Sequence, residues 1–365
     1  MLAAALFSVA LSTRSARVIA AASFTRVRGA GHCGGTAAVA ARMLCASPQA
    51  ADDVCLIDGH ALAYRMHFAL QKSAMTTRGG ASSHALHGFL NKVIDLHALY
   101  PSHRLVVAFD LPGPTFRSEV QSTYKAQRAP MPTPLRPQIL AMQEALGHLG
   151  VPAITAEGFE ADDVIATCVA RARKAGVGSV VIVGCDKDLM QLVSEDDEAT
   201  RVSMWNDQKK AVIDAAAVRA QFGVGPAQMG DLLALMGDAS DNVPGVPGVG
   251  PKGAAKLLAD HADLESVLSA AAVMKPSKRS TALLEFADTA RRARALVELR
   301  TDVPLDEVAF GGGGSPEFTS EALLEFLRRW ELNKVEAKVL KIKQPPNLKQ
   351  NRKPIVQNLA APPEE

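Results

Sequence analysis

What the chain lacks narrows its character first. No apolar run approaches the roughly 18 residues a membrane-spanning helix needs, which excludes a helical membrane protein. The 5 cysteines show no metal-ligand spacing. Cys33 and Cys45 fall near the start, and Cys55, Cys168 and Cys185 sit among apolar residues. They read as buried thiols of a reducing compartment, not as disulfides or a zinc site. No internal repeat is present. Residues 1–51 also lack any acidic residue, yet they hold Arg14, Arg17, Arg26, Arg28 and Arg42. Arg-rich, Ser-containing and acid-free is the composition of an organelle transit peptide, for a plastid or a mitochondrion. The opening "MLAAALFSVAL" is alternatively a short secretory h-region, or the first half of a bipartite plastid address. A tail without any address is the third reading. Without this segment the formal net charge of +2 turns into a small acidic excess. Net charge therefore does not advertise nucleic-acid binding, and any basic surface must be local.

What is present begins with three apolar runs. "DVCLID" ends at Asp58, "RLVVAFD" at Asp110 and "SVVIVGCD" at Asp186. Each is rich in β-branched residues, as a strand buried on both faces is, and helical patterns separate them. This alternation predicts an α/β fold with a mostly parallel sheet between helices. In such sheets ligands bind outside the carboxyl ends of the strands, so the three aspartates are expected along one edge. In "GFEADDVIATCVARARKAG", Glu160 and Asp163 are three apart and share one side of a helix's first turn, while Asp162 points elsewhere. Asp188 follows Asp186 closely, and Asp238 and Asp241 precede a Gly- and Pro-rich stretch. After about Gln221 the strands stop. Helical patterns run over Pro226–Met236, Gly253–Leu258 and Arg279–Arg300. "FGGGGSP" is a break, a capped amphipathic helix follows from Ser320 (within 311–343), and 344–365 reads as disordered.

So many carboxylates in one cleft need cations to neutralise them. All-oxygen ligands select hard ions, Mg²⁺ or Mn²⁺. Two groups of acids suit two ions for in-line phosphoryl displacement. Unrelated N-caps and surface acids are the competing reading. In "NVPGVPGVGPKGAAKLL", turns lead through Gly248 and Gly250 into a helix near Lys252. Bare backbone there can approach a phosphate, and Lys252 and Lys256 add charge. A third element is "GPTFRSEVQSTYKAQRAPMPTPLRP". On a helix Arg117, Gln121, Tyr124 and Arg128 would share one face, with Lys125 beside it, able to stack a base and hold phosphates. A solvated surface helix is the alternative. Its Pro-rich exit suggests an arch standing off the domain over about 112–137.

The ordered set "LIDGHALAYR", "VVAFD", "TFRSEVQSTYKAQRAPMP", "GFEADDVIATC", "GCDKDLMQLV" and "LLALMGDASDNVPGVPGVGPKGAAKLL" resembles the 5′-nuclease domain of bacterial DNA polymerase I, and with it phage 5′-exonucleases and flap endonucleases. The likeness runs from about Asp53 to Lys343. It implies a PIN-like catalytic domain (52–220), a helix-three-turn-helix DNA-binding subdomain (221–310) binding K⁺ at its hairpin, and Mg²⁺-dependent cleavage near 5′ ends. By resemblance, Asp58, Asp110, Glu160, Asp162 and Asp163 surround a first metal, and Asp186, Asp188, Asp238 and Asp241 a second. Arg65, Tyr124, Lys125 and Arg128 match positions gripping the scissile phosphate and the threaded strand. Arg117, Gly245, Gly248, Gly250, Lys252, Gly253 and Lys256 are expected to contact DNA. Departures are His60 for a usual Ser, Cys185 for Gly, and Pro251 and Gly253 for Glu and Thr. The resemblance is to the stand-alone, organelle-targeted version. It implies a monomer without membrane contact, acting on 5′ flaps, nicked or branched duplex and RNA–DNA primers beside an organellar polymerase and ligase.

Overall fold

The computed structural model describes residues 53–73, 75–195, 198–305 and 316–342. The expected transit segment 1–51, most of the glycine-rich break and the tail 344–365 lie outside the described residues. The chain starts with strand β1 (Asp53–Asp58), helix α1 (Gly59–Leu70) and helix α2 (His84–Leu99). β2 (His103–Ala108), the short α3 (Phe116–Val120), α4 (Leu135–Leu149), β3 (Ala153–Ile154) and α5 (Ala161–Ala175) follow. β4 (Ser179–Val183) then leads to the hairpin of β5 (Arg201–Asn206) and β6 (Ala211–Ile213). The strands form one sheet of order β3-β2-β1-β4-β5-β6, parallel except for the β5–β6 pair.

The buried runs expected as strands are β1, β2 and β4. β3, β5 and β6 were not anticipated: β3 is only 2 residues long, and β5 alternates in burial. Strand alternation builds two cores. Val54 and Leu56 face one side, Cys55 and Ile57 the other. The first side is covered by α5 and by the helices after the sheet: α6 (Ala215–Phe222), α7 (Met229–Met236), α8 (Pro251–Asp260), α9 (Leu264–Ala271), α10 (Lys278–Glu285) and α11 (Ala287–Val297). The second is covered by α1, α2, α4 and a terminal pair, α12 (Glu321–Arg329) and α13 (Asn333–Ile342). Among the described residues no helix is long and apolar enough to cross a membrane.

Two expected helices are broken. The Arg279–Arg300 pattern divides at Phe286, and the one starting after Ser320 divides around Glu331, whose φ is +53°. Ser320 does cap its helix, accepting from Leu323 N at 3.3 Å. The cysteines also divide: Cys55 and Cys168 are buried, but Cys185 is exposed because it lies past the end of β4.

Between α7 and α8 the backbone folds tightly on itself. Val246 N donates to Leu235 O at 2.8 Å, and a side chain on Gly245 would meet Met236 C at 2.4 Å and Gly237 N at 2.5 Å. Gly245, expected as a DNA contact, therefore has a packing reason to be glycine. Gly253 has open space where a Cβ would go. Gly245→Ala should destabilise the protein by at least ~2 kcal/mol, whereas Gly253→Ala in α8 should be neutral or stabilise by up to ~1 kcal/mol. Urea denaturation of the two variants checks this contrast.

Candidate active site

The parallel register delivers the acids. Asp58 pairs with Ala108 and Ile57 with Val183, so β1, β2 and β4 end level. Asp58 closes β1, while Asp110 and Asp186 lie in the loops just past β2 and β4 rather than in the strands. Asp58 doubles as N-cap of α1, its Oδ1 accepting from Ala61 N at 2.8 Å. Asp110 is fixed from two sides: its N–H donates to His60 Nδ1 at 3.0 Å, and its Oδ1 accepts from Ala161 N at 2.8 Å. That second bond ties α5 to the strand edge and brings in Asp162. Burial, with Asp110 and Asp186 adding like charge, pushes Asp58 up to about 7. Burial, Asp186 and Asp58 raise Asp162 well above the usual carboxylate range, and Asp162 Oδ1 is buried without a partner. Asp188 is pushed to about 8 by burial, then by Asp186, Asp241 and Asp238, and its Oδ1 is likewise unpartnered.

The other acids already have cations. Glu160 Oε2 accepts from Lys125 Nζ at 2.9 Å and from Tyr124 Oη at 3.2 Å. Asp241 accepts from Arg128 Nη2 at 2.6 Å and from Tyr124 Oη at 3.3 Å, with Lys125 Nζ at 3.6 Å. Asp238 accepts from Lys187 Nζ at 2.8 Å and from Ser240 N and Oγ at 2.9 and 2.5 Å. Burial opposes its charge, but the bonds from Lys187 and Ser240 hold Asp238 below its ordinary value. Lys125 is raised: burial opposes its charge, and Glu160 and Asp241 outweigh burial.

Glu160 and Asp163 do share a side of α5, but what lies there is Arg117. Asp163 is 0% and Arg117 2% exposed, and the guanidinium grips both carboxylate oxygens at 2.6 and 2.8 Å. Arg117 also donates to Leu296 O and Glu298 O, while Arg300 N donates to Asp163 Oδ1. Arg117 and Asp163, expected at DNA and at a metal, are thus engaged with each other inside the protein.

The arch also differs from expectation. α3 stops at Val120 and turns follow, so there is no continuous face through Arg117, Gln121, Tyr124 and Arg128. The segment is seated, not standing off. Gln121 and Gln127 side chains donate to backbone carbonyls of Asn242, Ala239 and Ser240, and Lys125 N donates to Asp241 O. Lys125 adopts φ +54°. These bonds bring Tyr124, Lys125 and Arg128 to the acids. Beside Asp58 and Asp186 opens a cavity of about 410 Å³, also lined by Arg65, Cys185 and Lys187. Gly248, Gly250, Lys252 and Lys256 lie exposed at the start of α8.

Comparison with known proteins accounts for this arrangement. A family model described as 5′-3′ exonuclease, N-terminal resolvase-like domain matches residues 53–223, and one described as 5′-3′ exonuclease, C-terminal SAM fold matches 224–310. The chain belongs to the 5′-3′ exonuclease family. DNA polymerase I of Rhizobium leguminosarum is 41% identical over 274 residues, 73% of this chain and 26% of that protein. DNA polymerase I of Deinococcus radiodurans is 38% identical over 302 residues, 82% of this chain and 30% of its own. The chain thus spans about a quarter of the length of the first of these relatives. Among solved structures, T5 5′-exonuclease with divalent metal ions (zinc) bound superposes with a TM-score of 0.57 at 19% identity, covering 80% of this chain and all of that one (100%). The catalytic core of Rad2 in complex with DNA substrate gives 0.53 at 18% identity, covering 81% and 93%. These likenesses carry the fold: a six-stranded, mostly parallel sheet with a helical subdomain.

Lys187, which pairs with Asp238, is not among the site residues expected from the sequence. Its position between Asp186 and Asp188 was the available signal. No three acidic, histidine or cysteine side chains among the described residues form a ready-made cage for a metal. The donor set still fits hard ions: two buried carboxylate oxygens without partners, no thiol or imidazole required, and a Mg²⁺ that keeps several waters needs few protein ligands.

Arg117→Met should cost about 3–5 kcal/mol by leaving Asp163 buried and unpaired. Arg128→Met, whose side chain is 52% exposed, should cost under ~1 kcal/mol; denaturant unfolding separates the two. Because Asp58 and Asp188 sit near 7 and 8 when folded against an ordinary 3.8, the folded state holds protons that the unfolded chain releases. Their contribution to stability is full below 3.8 and is lost as pH rises through 7 and 8. In chelator, the melting temperature should fall across that window, and less so in Asp188→Asn.

Proposed function

We propose that the chain is a Mg²⁺-dependent 5′-3′ exodeoxyribonuclease and 5′-flap endonuclease that removes primers and flaps in organellar DNA replication and repair. The observation that carries this reading is the meeting of two charge sets at one sheet edge. Asp58, Asp162, Asp186 and Asp188 are acids without sufficient cations, and Lys125, Arg128 and Arg65 stand beside them. Metal ions and DNA in the related T5 and Rad2 structures support the ligand classes. A pair of Mg²⁺ ions, with Mn²⁺ as substitute, fits the two acid groups, with K⁺ at the hairpin before α8. When bound, the divalent ions lower the pKa of water and offset charge on the phosphoryl group.

The rest is done by this chain's own groups. Lys125 and Arg128 are held at the cleft by Glu160 and Asp241, and can exchange those carboxylates for the oxygens of a scissile phosphate. Tyr124 Oη, bonded to the same two acids, fixes their orientation. Arg65, with Nη1 buried and unpartnered, supplies a further cation from α1. Exposed backbone at Gly248 and Gly250, with Lys252 and Lys256, can grip duplex phosphates without reading sequence. An organellar polymerase and ligase are the partners such a product, a nick with a 5′-phosphate, would need. The acid-free, Arg-rich composition of residues 1–51 supports a plastid or mitochondrial address.

A 5′-labelled flap duplex decides the activity. Cleavage near the junction should need Mg²⁺, vanish in chelator and in Asp186→Ala, and fall roughly 10²–10³-fold in Lys125→Ala. Binding of the flap without cleavage would make the protein a DNA-structure binder. Preferential cleavage of single-stranded RNA would assign it to RNA. Diffuse cytosolic fluorescence from a reporter fused to residues 1–51 would remove the organellar part.

A further inference from the structure

His60 stands where the resemblance puts a serine, and the chemistry above leaves its ring without a role. It is the second residue of α1, the helix that Asp58 caps. Three features set it against the end of β2. A Cβ on Gly59 would meet Phe109 Cε1 at 2.6 Å and Ala108 O at 2.8 Å, so only bare backbone lets α1 come this close. The His60 ring then lies edge-on to Phe109, with centroids 5.6 Å apart and planes at 77°. Its Nδ1 accepts from Asp110 N at 3.0 Å. A nitrogen that accepts an amide proton carries none, so the proton of the neutral ring is on Nε2. The 3.5 Å from Nδ1 to Asp110 Oδ2 is therefore not a hydrogen bond. Asp110 Oδ1 is held by Ala161 N at 2.8 Å, and Oδ2 is left for a ligand.

We infer that His60 is a positioning residue for the reaction: its Nδ1 fixes the backbone of Asp110, so that this carboxylate stands beside Asp58 ready for a divalent ion. The inference rests on the metal-dependent reading above. Asp110 lies past the end of β2, where the sheet no longer holds the chain. The last backbone bond along this edge runs from Phe109 N to Ile154 O, and one residue later the amide donates to His60 instead. Without that acceptor, Asp110 would be tied down through its side chain alone. The bond engages the main chain and not the carboxylate, so it is compatible with a bound ion. Because His60 belongs to the helix that Asp58 caps, it also links the two acid-bearing strand ends to each other.

Asparagine and glutamine separate the acceptor from the ring. The Oδ1 of an asparagine takes the place of Nδ1, whereas the Oε1 of a glutamine lies near that of Nε2, away from the Asp110 amide. Hydrogen exchange of the metal-free full chain should leave the Asp110 amide of His60→Asn as in the wild type. In His60→Gln it should exchange roughly tenfold faster. Mn²⁺ titration of the DNA-free chain, read by loss of the free-ion EPR signal, should show binding roughly 10–100-fold weaker in His60→Gln. On a 5′-flap duplex its kcat should fall by a similar factor with KM within about twofold, while His60→Asn matches the wild type. Wild-type protection or wild-type Mn²⁺ affinity in His60→Gln would overturn the role of His60 alone. So would weakened Mn²⁺ binding in His60→Asn, whether or not His60→Gln folds. No Mn²⁺ binding by the wild type would overturn the metal-dependent reading and this role with it, whatever the exchange rates.

Discussion

The Arg117–Asp163 ion pair joins segments that lie far apart in the sequence. Arg117 comes from the start of the arch, Asp163 from the first turn of α5, and the carbonyls of Leu296 and Glu298 from the end of α11. Both charges are almost wholly removed from water. A pair so buried has a large desolvation cost, offset only because nearly every donor and acceptor in it is used. Its value is positional. Asp163 also accepts from Glu160 N, so the pair sets how Glu160 enters the cleft and where Asp162, one residue before Asp163, must point.

Around that fixed point the cleft is a balance of charge. On one side stand carboxylates whose proton affinities are raised by burial and by each other; on the other, Glu160, Asp238 and Asp241 are matched to Lys125, Lys187 and Arg128. The matched acids come from α5 and from the loop after α7, and their cations from the arch and from the loop after β4. The ion pairs therefore do more than neutralise: they connect the sheet edge to the helical subdomain that carries the exposed glycines of α8.

Much of this was legible because it is local or periodic. β1, β2 and β4 announce themselves as apolar runs ending near an acid, and Glu160 and Asp163 share a helix side as their spacing requires. What escaped was decided at long range. The periodicity of Arg117, Gln121, Tyr124 and Arg128 suggested a helical face, but side-chain bonds to the 239–242 backbone hold that stretch in turns, with Lys125 at positive φ. No local pattern says that Arg117 will meet a carbonyl 179 residues away. Gly245 looked like a phosphate contact because glycine serves both purposes, and only the neighbouring backbone distinguishes them. Cys185 looked buried because its run is apolar, yet the strand ends before it.

The terminal helix pair has a consequence for how the chain matures. Phe318, Leu323, Phe326, Leu327, Val335 and Val339 cover the face made by α2 and α4, and Glu317 N donates to Leu149 O. That face belongs to the first half of the chain, while its cover is synthesised well after it. Until residues 317–342 are synthesised, a broad apolar surface over the oldest strands has no lid. A nascent chain in that state exposes apolar surface, and completing this layer is a late event in its folding.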